Sequence, residues 1–223
     1  MPLLWPIWEH RWPKPLREGS KLGLLHLVRK LEIRGHKHLN RGNFSLTRFD
    51  ERILRDFSGL TNVQQLGIDF LDIPSFMPKI RRYFGHFLPT LLSLALRRPK
   101  GSSRQIVFFV GMFHRLEDLK LLYDDLDFIE EEPADDQTLV PPSRPPLRGR
   151  LTLTCFTRVR ILEDMVDLFG GIRFRRMDLF CVQRMRFLLD ACVSTLETLR
   201  LYPNDPRGWK DSSKVTVLKL TMS

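Results

Sequence analysis

Residues 196–201 read Leu196-Glu197-Thr198-Leu199-Arg200-Leu201, and the same arrangement, apolar-x-x-apolar-x-apolar, recurs along the whole chain. It returns as Val28-Leu31-Ile33, Val63-Leu66-Ile68, Leu91-Leu94-Leu96, Leu116-Leu119-Leu121, Phe174-Met177-Leu179 and Val215-Leu218-Leu220. Leu147-Leu151-Leu153 has one extra residue in its first gap. The last two apolar residues of each unit are two apart, so they share one face of an extended chain, and each unit predicts a short strand with one buried face.

Between the units the spacing changes to that of helices. Ile53, Leu54, Phe57 and Leu60 form a stripe within Phe49 to Leu60, as do Ile80, Phe84 and Phe87 within Met77 to Leu88. Ile106 to Phe113 is apolar nearly throughout, and Met185 to Val193 carries Met185, Leu188, Leu189 and Cys192. Ile161 to Phe169 carries Ile161, Leu162, Met165, Val166 and Phe169, with Gly170-Gly171 as its stop. Alternating strands and helices predict parallel strands joined by right-handed crossovers.

Two architectures meet that description. A doubly wound sheet buries both faces of its strands, which then read as continuous apolar runs. Here polar residues alternate with the apolar ones, as in Leu31-Glu32-Ile33, Leu119-Lys120-Leu121 and Met177-Asp178-Leu179. One sheet face is therefore expected to be solvated. The units start at residues 28, 63, 91, 116, 147, 174, 196 and 215, in steps of 19 to 35, close to the ~20–29 residues of a leucine-rich repeat with loop insertions. The expected fold is α/β: an irregular leucine-rich-repeat solenoid, a horseshoe with a curved parallel sheet of all eight motif cores and helices on its convex side.

Composition sets the outer bounds. The chain has 223 residues, 43% hydrophobic and 28% charged, enough to bury a core without disulfides or metal. No apolar run reaches the ~18–20 residues of a membrane span, so no membrane association is expected. Cys155, Cys181 and Cys192 are too few and too far apart for a disulfide framework or a zinc site, which points to a reducing intracellular compartment, cytoplasmic or nuclear. The formal charge of +10 permits acidic partners of several kinds and selects none. Residues 1–23, rich in Trp and Pro, read as a lead or cap before the repeat domain at 24–223. An acidic, Pro-rich insertion at about 123–146 reads as an inserted loop.

Phrases such as Leu91-Leu92-Ser93-Leu94-Ala95-Leu96 and Leu196-Glu197-Thr198-Leu199-Arg200-Leu201 resemble the degenerate leucine-rich repeats of fungal F-box-type proteins, across roughly residues 24 to 223. The resemblance implies a substrate-recognition subunit of a ubiquitin ligase. The regular repeat has Asn or Cys three residues beyond its last leucine; here Asn204 fills that place and Cys155 stands one residue short of it, so an irregular solenoid is expected. The family's F-box of about forty to fifty residues has no counterpart in residues 1–23, so this chain is not expected to dock a Skp-type adaptor.

Catalytic signatures are missing. There is no phosphate loop, dinucleotide fingerprint, His-Glu-x-x-His or Gly-x-Ser-x-Gly. His36 and His38 make two ligands rather than a metal site. No enzyme, cofactor or metal is expected. The solvated sheet face remains, and counting from the motif places Lys120, Leu122, Arg150, Arg176, Phe180, Arg200 and Tyr202 on it in the C-terminal half. Arginine and aromatic residues are the types enriched at binding hot spots, whereas scattered ones would mark a merely solvated face. The expected function is a non-catalytic scaffold with a protein partner on the concave face; the alternative is a basic nucleic-acid-binding protein.

Overall fold

The computed structural model describes residues 23–34, 59–69, 73–74, 77, 85–123, 146–154, 159–168, 171–180, 186–202 and 216–219. Eight strands form one sheet in sequence order: β1 (Lys30–Arg34), β2 (Gln65–Asp69), β3 (Ser93–Arg97), β4 (Asp118–Leu122), β5 (Leu147–Leu153), β6 (Ile172–Phe180), β7 (Thr198–Tyr202) and β8 (Thr216–Lys219). β1 to β7 are parallel throughout. A strand order that never reverses has no topological switch point, which excludes the doubly wound alternative. It also sends every right-handed crossover to the same side of the sheet.

The motif's apolar pairs line up across the ladder. Leu31 pairs with Leu66, Leu66 with Leu94, Leu94 with Leu119, Leu119 with Leu151, Leu151 with Met177 and Met177 with Leu199. Two residues on, a second row runs from Ile33 through Ile68, Leu96, Leu121, Leu153 and Leu179 to Leu201. All are buried except Leu201, which is partly so. The strand entrances repeat as well. The carbonyl of Arg29 accepts the N–H groups of Gln64 and Gln65, that of Gln64 accepts those of Leu92 and Ser93, and that of Leu92 accepts those of Glu117 and Asp118. The units that begin at β2, β3 and β4 thus hang on their predecessors by the same contact.

Three α-helices have both ends among the described residues: α1 (Ser103–Gly111), α2 (Val159–Leu168) and α3 (Arg186–Cys192). They follow β3, β5 and β6, and neighbours in this series pack on each other. α1 starts at a capping box, in which the Gln105 N–H donates to Ser102 Oγ and the Ser102 N–H donates to Gln105 Oε1. α2 stops where expected: Gly171 takes a positive φ of 105° and its N–H donates to the Val166 carbonyl. Ile106, Phe109, Val110 and Phe113 from the α1 segment, Ile161 and Met165 from α2, and Leu188 and Cys192 from α3 join the strand leucines in one buried cluster. Phe109 and Phe113 meet edge to face with centroids 5.4 Å apart. No helix among the described residues is long and apolar enough to cross a membrane.

Two expectations are corrected. First, β8 is antiparallel to β7 rather than parallel. Leu218 still pairs with Leu199, but Thr216 and not Leu220 pairs with Leu201. A parallel return requires a crossover carrying an apolar stripe, whereas residues 203–215 are polar, with Pro203, Pro206 and Gly208; a reversal at the same sheet edge needs no such stripe. Second, the extra residue is not where the motif placed it. Leu147 pairs with Ile172 and Gly149 with Phe174, after which the register shifts and Arg150 pairs with Arg176. Arg175 is therefore the bulged residue of β6. Gly149, at φ 91°, lies so close to the Glu117 carbonyl that no Cβ fits, which is why the narrowed crossing carries glycine. Tyr123, at the expected start of the insertion, is buried; its N–H donates to Thr154 Oγ1 at 2.6 Å and its carbonyl accepts from that hydroxyl at 2.9 Å.

Other expectations lie outside the described residues: the lead at 1–22, the insertion at 124–145, His36, His38, Cys155, Cys181 and most of the stripe at 49–60. In the stretch from Met77 to Leu88 the described part is Met77, which is helical, and a 3-10 turn at Gly85–Phe87 with Phe87 buried.

Two measurements follow from this core. Leu119 and Leu199 are 1% and 6% exposed, so Leu119→Asp or Leu199→Asp places an unpaired charge in an apolar layer and should lower unfolding free energy by several kcal/mol in urea titrations. An unchanged midpoint would mean that the register is wrong. Burial raises the Cys192 thiol from 9.0 to about 11, partly offset by a backbone hydrogen bond at Phe174. Below about pH 9 folded and unfolded chains both keep that proton; between about 9 and 11 only the unfolded chain loses it, so this contribution to stability falls as pH rises. Mass mapping after iodoacetamide at about pH 8 should find Cys192 unmodified until denaturant is added, since the thiolate is the nucleophile.

Candidate functional site

The face opposite the apolar rows carries the residues that flank and separate them. At its middle level, Lys120 of β4 pairs with Thr152 of β5, Thr152 with Asp178 of β6 and Asp178 with Arg200 of β7. One level toward the strand starts stand Asp118, Arg150, Arg176 and Thr198; one level toward the strand ends, Phe180 pairs with Tyr202. The parallel register therefore brings Arg150, Arg176, Phe180, Arg200 and Tyr202 together on three adjacent strands, with Lys120 and Leu122 on the fourth.

Their environments differ. Phe180 and Tyr202 stack face to face, centroids 3.9 Å apart and planes within 10°, and both stay half-buried. Two rings held by neighbouring strands form a rigid apolar platform that loses little entropy on binding. Arg176 and Arg200 are exposed. Leu122, expected to project from this face, is only 9% exposed and contributes to its floor rather than to its accessible surface.

Asp178 organises the set. It is 4% exposed although it lies between arginines on an open face. Arg150 Nε donates to Asp178 Oδ2 at 2.6 Å and its Nη2 contacts the same carboxylate, while Arg200 Nε lies 3.9 Å from Oδ1. One buried carboxylate thus holds two guanidiniums from the strands on either side. Similar local pairing recurs along the sheet. Arg98 grips Asp69 with Nε at 3.2 Å and Nη2 at 2.9 Å, and Asp118 accepts from Ser93 Oγ at 3.1 Å and faces Lys120 Nζ at 3.4 Å. The Thr152 hydroxyl, between Lys120 and Asp178 in the ladder, has no hydrogen-bond partner among the described residues.

The motif count named Asp178 as a surface position without giving it a role. Its signal was present: in-register parallel strands place Asp178 level with Arg200, opposite charges in adjacent units. Arg148, Arg173 and Arg175 were missed for a different reason. The bulge that brings Arg175 to the same side as Arg176 cannot be read from a spacing that assigned the extra residue to the neighbouring unit. Among the described residues no group of three or more His, Cys, Asp or Glu side chains could hold a metal ion.

No family model matches this chain, nor does any curated protein or any solved structure.

The clamp around Asp178 has a measurable consequence. Asp178→Asn leaves Arg150 and Arg200 without their shared counter-charge and should lower stability by about 1.5–3 kcal/mol, the range for hydrogen bonds to charged groups. Urea titration at low and high salt checks it: the loss should shrink as salt screens the remaining arginines, and a variant as stable as the parent would show that the clamp is not formed.

Proposed function

We propose that this chain is a non-catalytic scaffold that binds a protein partner on the open face of β4 to β7. One observation carries this reading: exposed Arg176 and Arg200 converge with the Phe180–Tyr202 stack on adjacent strands of a face that is polar beside a fully buried one. These are the residue types that dominate binding energy when desolvated together. Asp178 holds Arg200 in place beforehand, which lowers the entropic cost of association.

In this reading β1 to β7 are the inner sheet of an irregular leucine-rich-repeat solenoid, with helices on its convex side. The sequential strand order, the two continuous apolar rows and the repeated carbonyl contacts at the strand entrances support it. The antiparallel β8 restricts the repeat to seven strands. The resemblance to F-box-type repeats suggests the class of partner, a protein substrate destined for a ubiquitin ligase; docking of a Skp-type adaptor is assigned to an F-box and not to these strands.

The test combines capture and salt dependence. The wild-type chain and a variant with Arg176, Phe180, Arg200 and Tyr202 all changed to Ala are immobilised after their melting temperatures have been compared. A protein captured specifically by the wild type should bind the variant on the order of a hundredfold more weakly, given about 2 kcal/mol or more per hot spot and non-additivity. Equal capture would move the interface off this face. Binding to arbitrary RNA or DNA with a steep fall in log K against log salt would replace the protein partner with nucleic acid.

A further inference from the structure

The starts of β5, β6 and β7 border an open cleft of about 700 Å³ lined by Arg148, Arg150, Arg173, Arg175 and Arg176, with Glu117 and Glu197 as the only acids in its wall among the described residues. The ladder sets Arg148 opposite Arg173 and Arg150 opposite Arg176. Like charges directly opposite in neighbouring strands repel, and the bulge adds a further arginine where one would ordinarily stand. Two of the five are neutralised locally, Arg150 by Asp178 and Arg175 by Glu197 at 3.4 Å. The guanidiniums of Arg148, Arg173 and Arg176 have no hydrogen-bond or ion-pair partner among the described residues, and all three residues are exposed.

We propose that this cleft is an oxyanion site that takes a phosphate group. Three unpaired guanidiniums in one cleft call for a ligand with two or more negative charges, and guanidinium forks match phosphate oxygens two at a time. Among the described residues no aromatic side chain lines the cleft, and the Phe180–Tyr202 stack stands at the opposite ends of β6 and β7. A nucleobase would therefore find no stacking platform. The chemistry recognised is the phosphate itself, carried either by a phosphorylated side chain or by a small polyphosphate. The volume falls in the ~300–1,000 Å³ range of small-ligand sites. This inference goes beyond the protein-binding reading and does not require it, because Arg148 and Arg173 lie outside the partner-binding set.

The test is calorimetric titration of the full chain with sodium tripolyphosphate, at ionic strength held near ~0.15 M with chloride, where non-specific attraction is screened. Saturable one-to-one binding is expected for the wild type, with at least tenfold loss in Arg148→Gln/Arg173→Gln. The ligand should raise the melting temperature of the wild type alone. In chloride the double variant should melt no lower than the wild type, because an opposed like-charge pair has been removed; Arg173→Gln by itself serves if the double variant does not fold. Identical titrations for wild type and variant, a wild-type signal that never saturates, or sulfate binding as tightly as tripolyphosphate would overturn the proposal. A phosphoserine peptide that displaces tripolyphosphate, where its serine counterpart does not, identifies a phosphorylated side chain as the source; tripolyphosphate binding without such displacement identifies a free polyphosphate, and both support the site.

Discussion

Each strand of the parallel sheet meets the next through two apolar side chains, two residues apart and level with the neighbour's pair. The rest of the fold depends on that register. A slip of one residue would turn Leu94 and Leu96 into solvent and bring Ser93 and Ala95 to the helices, and the same exchange would spread to both neighbours. The carbonyls of Arg29, Gln64 and Leu92, each accepting two N–H groups from the unit that follows, anchor the start of the strands against such a slip. The helices add volume rather than register: α1, α2 and α3 fill one side with Ile, Val, Phe, Leu and Met from apolar stripes.

A one-sided sheet places its charges under a second constraint. Residues on the open face are level with their counterparts in adjacent units, so an acid or a base is opposed by whatever the next unit carries. Glu32 beside Lys30, Asp69 beside Arg98, Asp118 beside Lys120 and Asp178 between Arg150 and Arg200 are local solutions to that arrangement. Surface ion pairs contribute little individually; the one around Asp178 differs because the carboxylate is buried and leaves its arginines oriented. Where β5 meets β6 the solution breaks down. There the bulge and the in-register arginines concentrate more positive charge than the neighbouring described acids match, toward the strand starts and away from the aromatic stack.

Legibility varied along the chain for physical reasons. The pairs Leu31/Ile33 through Leu199/Leu201 were readable because burial of one strand face enforces a period of two. The helices at Ser103–Gly111, Val159–Leu168 and Arg186–Cys192 were readable from their stripes, and Gly171 from its role at a helix end. The seven candidate surface residues reached one face because their positions were counted from the same motif. Leu122 shows the limit of that counting: a position on the open face is not necessarily accessible, since neighbouring side chains can bury it. β8 shows another, because Val215, Leu218 and Leu220 repeat the spacing of a parallel strand while strand direction is set by the connection.

By itself, then, the sequence determined which residues lie on the covered face, in which order the strands occur and which types of side chain the open face presents, because these follow from local period and composition. Only the tertiary structure decided that the chain advances strand by strand without reversing, that β8 turns back and that Arg175 is bulged beside Arg176. The same holds for Asp178 drawing two arginines together while the guanidiniums of Arg148, Arg173 and Arg176 are unmatched among the described residues. Each of those depends on which backbone lies beside which, and hydrogen bonding between distant segments sets that, as at the narrowed crossing of Gly149 and Glu117, where no periodicity could have shown it.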